Sequence, residues 1–190
     1  METFKQHLDK FIDINDEEFA SVVSYFQVIE VKKKHDLMIN GEICKSMFFV
    51  GKGCLRKFFI NEKGIEQTTE FAIENWWITD TFAYERQAKS DFCIQAVEKS
   101  VILKIDFHSQ EALLKKHPVM ERYFRMIYQR AYAAAERRIR YLYEFSREEL
   151  YMHFSTQYPW FIQRIPQYLI ASFLGFTPEY LSEIRAKLRS

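Results

Sequence analysis

The chain has 190 residues, of which 48% are apolar and 17% aromatic, and a formal net charge of only +1. That composition supplies a packed interior. No apolar run is long enough to span a bilayer and no basic-then-apolar leader opens the sequence, so a soluble, cytoplasmic protein without a membrane partner is expected. The charge is unevenly placed. Residues 111–190 hold 13 Lys/Arg against 8 Asp/Glu, whereas residues 1–110 hold 14 against 18. A basic C-terminal part joined to an acidic N-terminal part fits a sensor coupled to a nucleic-acid reader. Cys44, Cys54 and Cys93 are isolated, odd in number and without zinc spacing, and read as buried free thiols.

Residues 3–26 open with amphipathic helices. Phe4, Leu8, Phe11 and Ile12 share one face. Asn15 or Asp16 then caps a second helix carrying Phe19, Val22, Val23 and Phe26. From Gln27 the period changes to short runs rich in β-branched and aromatic residues, ending near Asp106. Turn signals at Asn40-Gly41, Gly51-Lys52-Gly53 and Asn61-Glu62-Lys63-Gly64 separate them. Such spacing predicts an antiparallel roll or barrel. Between Glu74 and Asp91 the pattern breaks. Trp76-Trp77-Ile78 leads into a short helical turn capped by Thr79 or Asp80, and then into a polar stretch. An irregular insertion in a small roll is where a ligand pocket is expected.

Past Pro118 a single helix runs to about Phe145, roughly 40 Å at 1.5 Å per residue. Met120, Phe124, Ile127, Ala131 and Ala134 alternate spacings of four and three, the seam pattern of paired helices. A dimer stalk is the preferred reading, and a long helix packed on its own domain is the alternative. Arg137, Arg138 and Arg140 crowd the far end, either as a solvated face or within reach of phosphates. Residues 147–158 give another helix with Leu150, Tyr151 and Phe154 inward. Pro159 ends it, and Trp160-Phe161-Ile162 serves as a link.

The last stretch, IPQYLIASFLGFTPEYLSEIRAKL, carries most of the functional information. Ile165, Leu169, Ile170 and Phe173 form one apolar face, with Pro166 in a first-turn position. Gly175 suits a left-handed stop. Thr177 caps the next helix, with Pro178 at its first position and Phe176 and Leu181 at the spacing of a hydrophobic staple. Leu181, Ile184 and Leu188 continue the buried stripe. Helix, glycine-containing turn and capped helix make a helix-turn-helix, whose second helix enters a major groove. A helical hairpin inside a core is the bland alternative. At 100° steps the face opposite the buried stripe presents Glu179, Ser182, Glu183 and Ala186, with Arg185 and Arg189 on one flank and Tyr180 and Lys187 on the other. Glu accepts from cytosine N4 and Ser contacts several bases, while Arg185, Lys187 and Arg189 are suited to phosphates. With Thr177, these residues form the candidate DNA-binding set.

The order of β-roll, long helix and small helical reader, together with FFVGKGCLRKFF, WWITDTF and the terminal helix pair, resembles the Crp/Fnr family of bacterial transcription regulators over essentially the whole chain. The resemblance implies an α+β protein. It has an N-terminal antiparallel β-roll (a double-stranded β-helix of cyclic-nucleotide-binding type) at 1–117, a dimerisation helix at 118–145, and a helix-turn-helix domain without an evident wing at 146–190. It implies double-stranded DNA and a second copy of the chain as partners, with RNA polymerase a further candidate, and regulation of transcription in place of catalysis.

Family members that bind cyclic nucleotides carry a Gly-Glu pair for the ribose and an Arg followed by a small residue for the phosphate. Here Ile78-Thr79 and Ser90-Asp91 stand at those places. With no cation at the phosphate position and Asp91 beside it, cAMP and cGMP are not expected to bind; Arg86 and Lys89 are the nearby cations. Trp76, Trp77, Ile78, Thr79, Phe82, Ser90 and Asp91 therefore mark a degenerate effector pocket. Trp76, Trp77, Phe82 and Tyr84 either hold an apolar effector or simply fill the roll. Three scattered cysteines do not make an iron–sulfur site, His35 is a haem ligand on paper only, and no metal is expected. The five histidines are dispersed and no nucleophile–base arrangement is evident, so an enzyme is not expected. A roll whose terminal helices bind a protein instead of DNA remains the rival to the DNA reader.

Overall fold

A computed structural model describes residues 2–188. The chain divides into two compact units. The first comprises residues 1–59 and 69–128, and the second residues 60–68 and 129–190.

The first unit opens with α1 (Glu2–Leu8) and α2 (Asp16–Val23). Asn15 caps α2 through a capping box with Glu18, which satisfies two end groups of the helix reciprocally. Phe11 and Ile12 lie beyond the end of α1, yet their side chains stay buried with Phe4 and Leu8. Eight strands follow: β1 (Gln27–Val31), β2 (Asp36–Met38), β3 (Ser46–Lys52), β4 (Leu55–Ile60), β5 (Glu66–Ala72), β6 (Trp77–Ile78), β7 (Cys93–Ala96) and β8 (Ser100–Asp106). They form two four-stranded sheets, ordered β1-β8-β3-β6 and β2-β7-β4-β5, as the turn spacing predicts for a roll. β3 and β8 pair antiparallel from Ser46↔Asp106 to Val50↔Ile102.

Period-two alternation sorts the side chains of β3. Phe49 packs on Phe4, His7 and Trp77, on the side covered by the helices. Gly53 has φ +106° at the β3–β4 corner, and a Cβ there would come within 2.2 Å of Ser100 Oγ. The corner therefore requires glycine. α3 (Thr81–Glu85) is capped by Asp80, not Thr79. α4 (Phe107–Lys116) is capped by Asp106, whose carboxylate accepts from the Ser109 N–H and hydroxyl.

α5 (Val119–Glu144) begins in the first unit and ends in the second. Its first turns are committed to the roll, because Met120, Tyr123 and Phe124 are all buried in the core.

In the second unit α6 (Arg147–Gln157) starts with a capping box between Ser146 and Glu149. Pro159 does more than end it. Proline at the first position starts a further helix, α7 (Pro159–Arg164), where the sequence reading has only a link. α8 (Gln167–Leu174) and α9 (Pro178–Lys187) follow. Residues 60–68, the hairpin between β4 and β5, belong to this unit through α8. Ser172 Oγ donates to the Glu66 carbonyl at 2.8 Å and accepts the Thr68 N–H at 2.8 Å, and the Gln67 amide reaches the Ser172 carbonyl.

Candidate nucleic-acid interface and roll interior

The helix pair is built as its local chemistry dictates. Gly175 ends α8 at φ +78°, and Thr177 Oγ1 accepts the Tyr180 N–H ahead of Pro178. Leu169, Ile170, Ala171, Leu174, Leu181 and Ile184 bury the shared side of the pair. Phe176 is buried and meets the Tyr180 ring edge-on. Leu188 departs from the expected stripe. It is the C-cap of α9, past the last full turn, and is 54% exposed.

The opposite face of α9 is open. Glu179, Ser182, Glu183, Ala186 and Lys187 are exposed, as is the capping Thr177, while Tyr180 and Arg185 are half-buried. Arg189 lies outside the described residues. Lys187 is not a free cation, since its amine meets Glu148 at 3.1 Å, and that contact raises its pKa. Arg147 lies over the Tyr180 ring at 5.6 Å.

The arginines at the end of α5 divide. Arg138 stacks on the Phe173 ring at 3.9 Å and donates to the Phe173 carbonyl at 2.8 Å, so it braces α8. Arg140 pairs with Glu144 one turn on. Arg137 is exposed.

The seam expected on α5 needs correction at its first two positions. Met120 and Phe124 are buried within their own roll and have no surface left for a partner helix. Ile127 is half-buried, and Ala131 and Ala134 are exposed. One position along, Tyr128, Tyr132, Ala135, Ile139 and Leu142 repeat at four–three spacing and are all exposed, with Ile139 at 55% and Leu142 at 53%. The sequence carries both stripes. Only the tertiary fold shows which one is already used.

The insertion residues do not surround one chamber. Trp76 is exposed, and Phe82, 63% exposed, lies under the Arg86 guanidinium at 3.8 Å. Trp77 packs among Phe4, Phe26, Phe49 and Phe124 and donates its indole N–H to Tyr123 Oη at 2.7 Å. Burial raises the pKa of that phenol, so it stays neutral. Tyr84 is buried with its hydroxyl on Gln110, and Ile78 is buried in the core.

Around Thr79 and Ser90, hydroxyls turn to the protein itself. Thr79 Oγ1 donates to the Ser46 carbonyl at 3.1 Å. Ser90 Oγ donates to Asp80 at 2.7 Å and accepts the Phe92 N–H. Asp91 is exposed, as are Arg86 and Lys89. The cation that does reach this place is one the sequence reading missed. Lys57 on β4 donates to the Thr79 carbonyl at 2.9 Å and pairs with Glu70 at 2.7 Å. Its neighbour Arg56 is the more deeply buried of the two, so strand alternation does not single Lys57 out.

Among the described residues no group of His, Cys, Asp and Glu side chains is placed to hold a metal ion, and no helix is long and apolar enough to cross a membrane. Cys44, Cys54 and Cys93 are buried and outside any disulfide among the described residues, and burial pushes the Cys44 thiol up.

No family model matches the chain, and no curated protein matches it. Solved structures do. A CooA variant from Carboxydothermus hydrogenoformans superposes with TM-score 0.72 at 18% identity, over 94% of this chain and 86% of that one. FixK2 from Bradyrhizobium japonicum gives 0.70 at 15%, over 86% and 84%. The c-di-GMP-responsive global regulator CLP of Xanthomonas campestris gives 0.69 at 11%, over 92% of both chains. At such identities the likeness is one of fold: a β-roll, a long helix and a terminal helix pair in the same order.

Proposed function

We propose that this chain is a dimeric, DNA-binding transcription regulator of the Crp/Fnr type, not an enzyme, and that it does not respond to cAMP. The observation that carries the reading is α9. It is held by a capped, glycine-turned helix pair, with its Glu179–Ala186 side exposed and not folded inward. The likeness in fold to CooA, FixK2 and CLP supports it.

In this reading the N-terminal turn of α9 faces the major groove. Ser182, Glu179 and Glu183 meet base edges, and Arg185 supplies phosphate contact. Dimerisation runs through Tyr132, Ala135, Ile139 and Leu142 and places two reading helices about 34 Å apart on a near-palindromic site. The test is a footprint on the upstream region of its own gene, followed by titration of salt. A protected near-palindrome whose affinity falls steeply with salt is expected, since phosphate contacts release counterions. Protection that ignores salt, or none at all, would count against it.

The non-response to cAMP rests on where the polar groups are already spent. Lys57 is neutralised by Glu70 and held by Thr79, and Ser90 is held by Asp80. A cyclic phosphate entering there would have to break an ion pair and face Asp80. Calorimetry with cAMP should give no saturable heat.

One observation favours a second reading. Two carboxylates stand on the exposed face of α9, and Lys187 is paired with Glu148. That face also suits a basic protein partner, and RNA polymerase is a candidate partner on either reading. Binding to duplex DNA by the isolated dimer decides between the two.

A further inference from the structure

The first turn of α6 lies along one flank of α9. Arg147 and Glu148 are neighbours at the start of α6, and they engage Tyr180 and Lys187 of α9. Those two residues are about two helical turns apart and so stand on the same side of the helix. The Arg147 guanidinium sits over the Tyr180 ring at 5.6 Å, and the Phe176 ring meets that ring edge-on. The Lys187 ammonium donates to Glu148 Oε1 at 3.1 Å. Glu148 is not needed to start α6, because Ser146 and Glu149 make the capping box there.

This pairing changes the charge that α9 presents. The helix carries Glu179 and Glu183 on its exposed face, and its described cations are Arg185 and Lys187. Arg185 makes no ion pair among the described residues. Lys187 is the one whose charge is cancelled from within the chain. A helix lying in a groove has phosphates along both flanks, and cations on those flanks position it without reading sequence. Both side chains of the pair stay open to water, with exposures of 69% for Lys187 and 48% for Glu148. Removing the carboxylate therefore leaves a solvated lysine and not a buried, unmatched charge.

We infer that Glu148 is a built-in competitor of DNA: its carboxylate holds the Lys187 ammonium in place of a backbone phosphate and keeps the affinity of α9 for a duplex down. The inference rests on the DNA-binding reading of α9 and goes beyond it, by assigning to α6 a residue that sets affinity without touching a base. Glu148 acts through Lys187, so its effect must vanish with that lysine.

The test is an equilibrium titration of the full chain over a salt series, using a duplex from the upstream region of its own gene and a scrambled duplex of equal length. Four proteins are compared: the parent, Glu148→Gln, Lys187→Met and the double variant. Glu148→Gln should bind both duplexes about three- to tenfold more tightly at low salt, and its log–log salt slope should steepen by about 0.9, as for one added phosphate contact. The gain should be equal on the two duplexes, since a phosphate carries no sequence information. Lys187→Met should leave the parent's slope unchanged and should abolish the gain when combined with Glu148→Gln. A Glu148→Gln chain that binds no more tightly than the parent, a gain that survives Lys187→Met, or a parental slope that falls with Lys187→Met alone would each overturn the inference while DNA binding itself stands. If the parent and all variants bind neither duplex, the DNA-binding reading fails and this inference falls with it.

Discussion

Apart from Trp76 and Phe82, the first unit packs most of its aromatic rings inward, whereas the second leaves a row of apolar side chains open along one helix. In the first, Phe4, Phe49, Trp77, Tyr123 and Phe124 interlock at tilted and edge-to-face angles, and the Trp77 indole N–H finds a phenol oxygen to accept its hydrogen bond. In the second, Tyr132, Ile139, Leu142 and Tyr143 stand open on α5, and Trp160 and Tyr168 are also exposed. A single copy completes the roll. The same single copy leaves the helical unit with an apolar stripe that water covers poorly. The difference teaches that the roll carries the stability of one chain, while the stripe is the surface on which the proposed second copy would pack.

That contrast can be broken most sharply in the roll. Phe49→Ala removes a fully buried ring that touches three others and should cost about 3–5 kcal/mol in urea unfolding. A loss under about 1 kcal/mol would mean the ring cluster is loosely packed and the contrast is overstated. Tyr123→Phe keeps the ring and deletes the acceptor, leaving the Trp77 N–H unsatisfied at a cost of about 1–3 kcal/mol. Intrinsic fluorescence of Trp77 should shift with it.

Asp106 is a smaller lever with a direction in pH. The Ser109 N–H and hydroxyl hold its carboxyl below the usual carboxylate range. Its cap is therefore fully present above that range and is lost as pH falls through the lowered value. Asp106→Ala should cost about 1 kcal/mol at neutral pH. Parent and variant unfolding curves should converge at the acid end. Curves that stay parallel to low pH would contradict the assignment.

The smallest effect on stability is expected on the stripe. Ile139→Asp with Leu142→Asp should change unfolding of the isolated chain by no more than about 0.5 kcal/mol, yet abolish association in sedimentation. A large stability loss in a monomeric chain would show that the stripe faces its own protein.

How much of this is legible in sequence follows the same division between local and distant causes. The turn at Gly175, the cap at Thr177 and the strand punctuation at Gly51–Gly53 are decided by neighbours in the chain and read directly, and the cap of α2 narrows to Asn15 or Asp16. Pro159 was misjudged because proline both stops one helix and starts another. Met120 and Phe124 satisfy the seam spacing as well as any residue. Only the arrival of β6 from far along the chain, with Trp77 against Phe124, claims that face for the roll. Lys57 was missed for the same reason, since Glu70 and Thr79 reach it through pairing that no spacing rule reports. Leu188 failed because helical periodicity continues on paper past the point where the helix stops.

The contact at Ser172 has a further consequence. β5 is the last strand of its sheet, and such borders expose backbone groups ready to recruit a strand from another molecule. At Glu66 and Thr68 those groups are occupied by one hydroxyl of α8. The helix that precedes α9 thus also serves as a stopper on an open border, shielding the chain from strand-to-strand aggregation at that point.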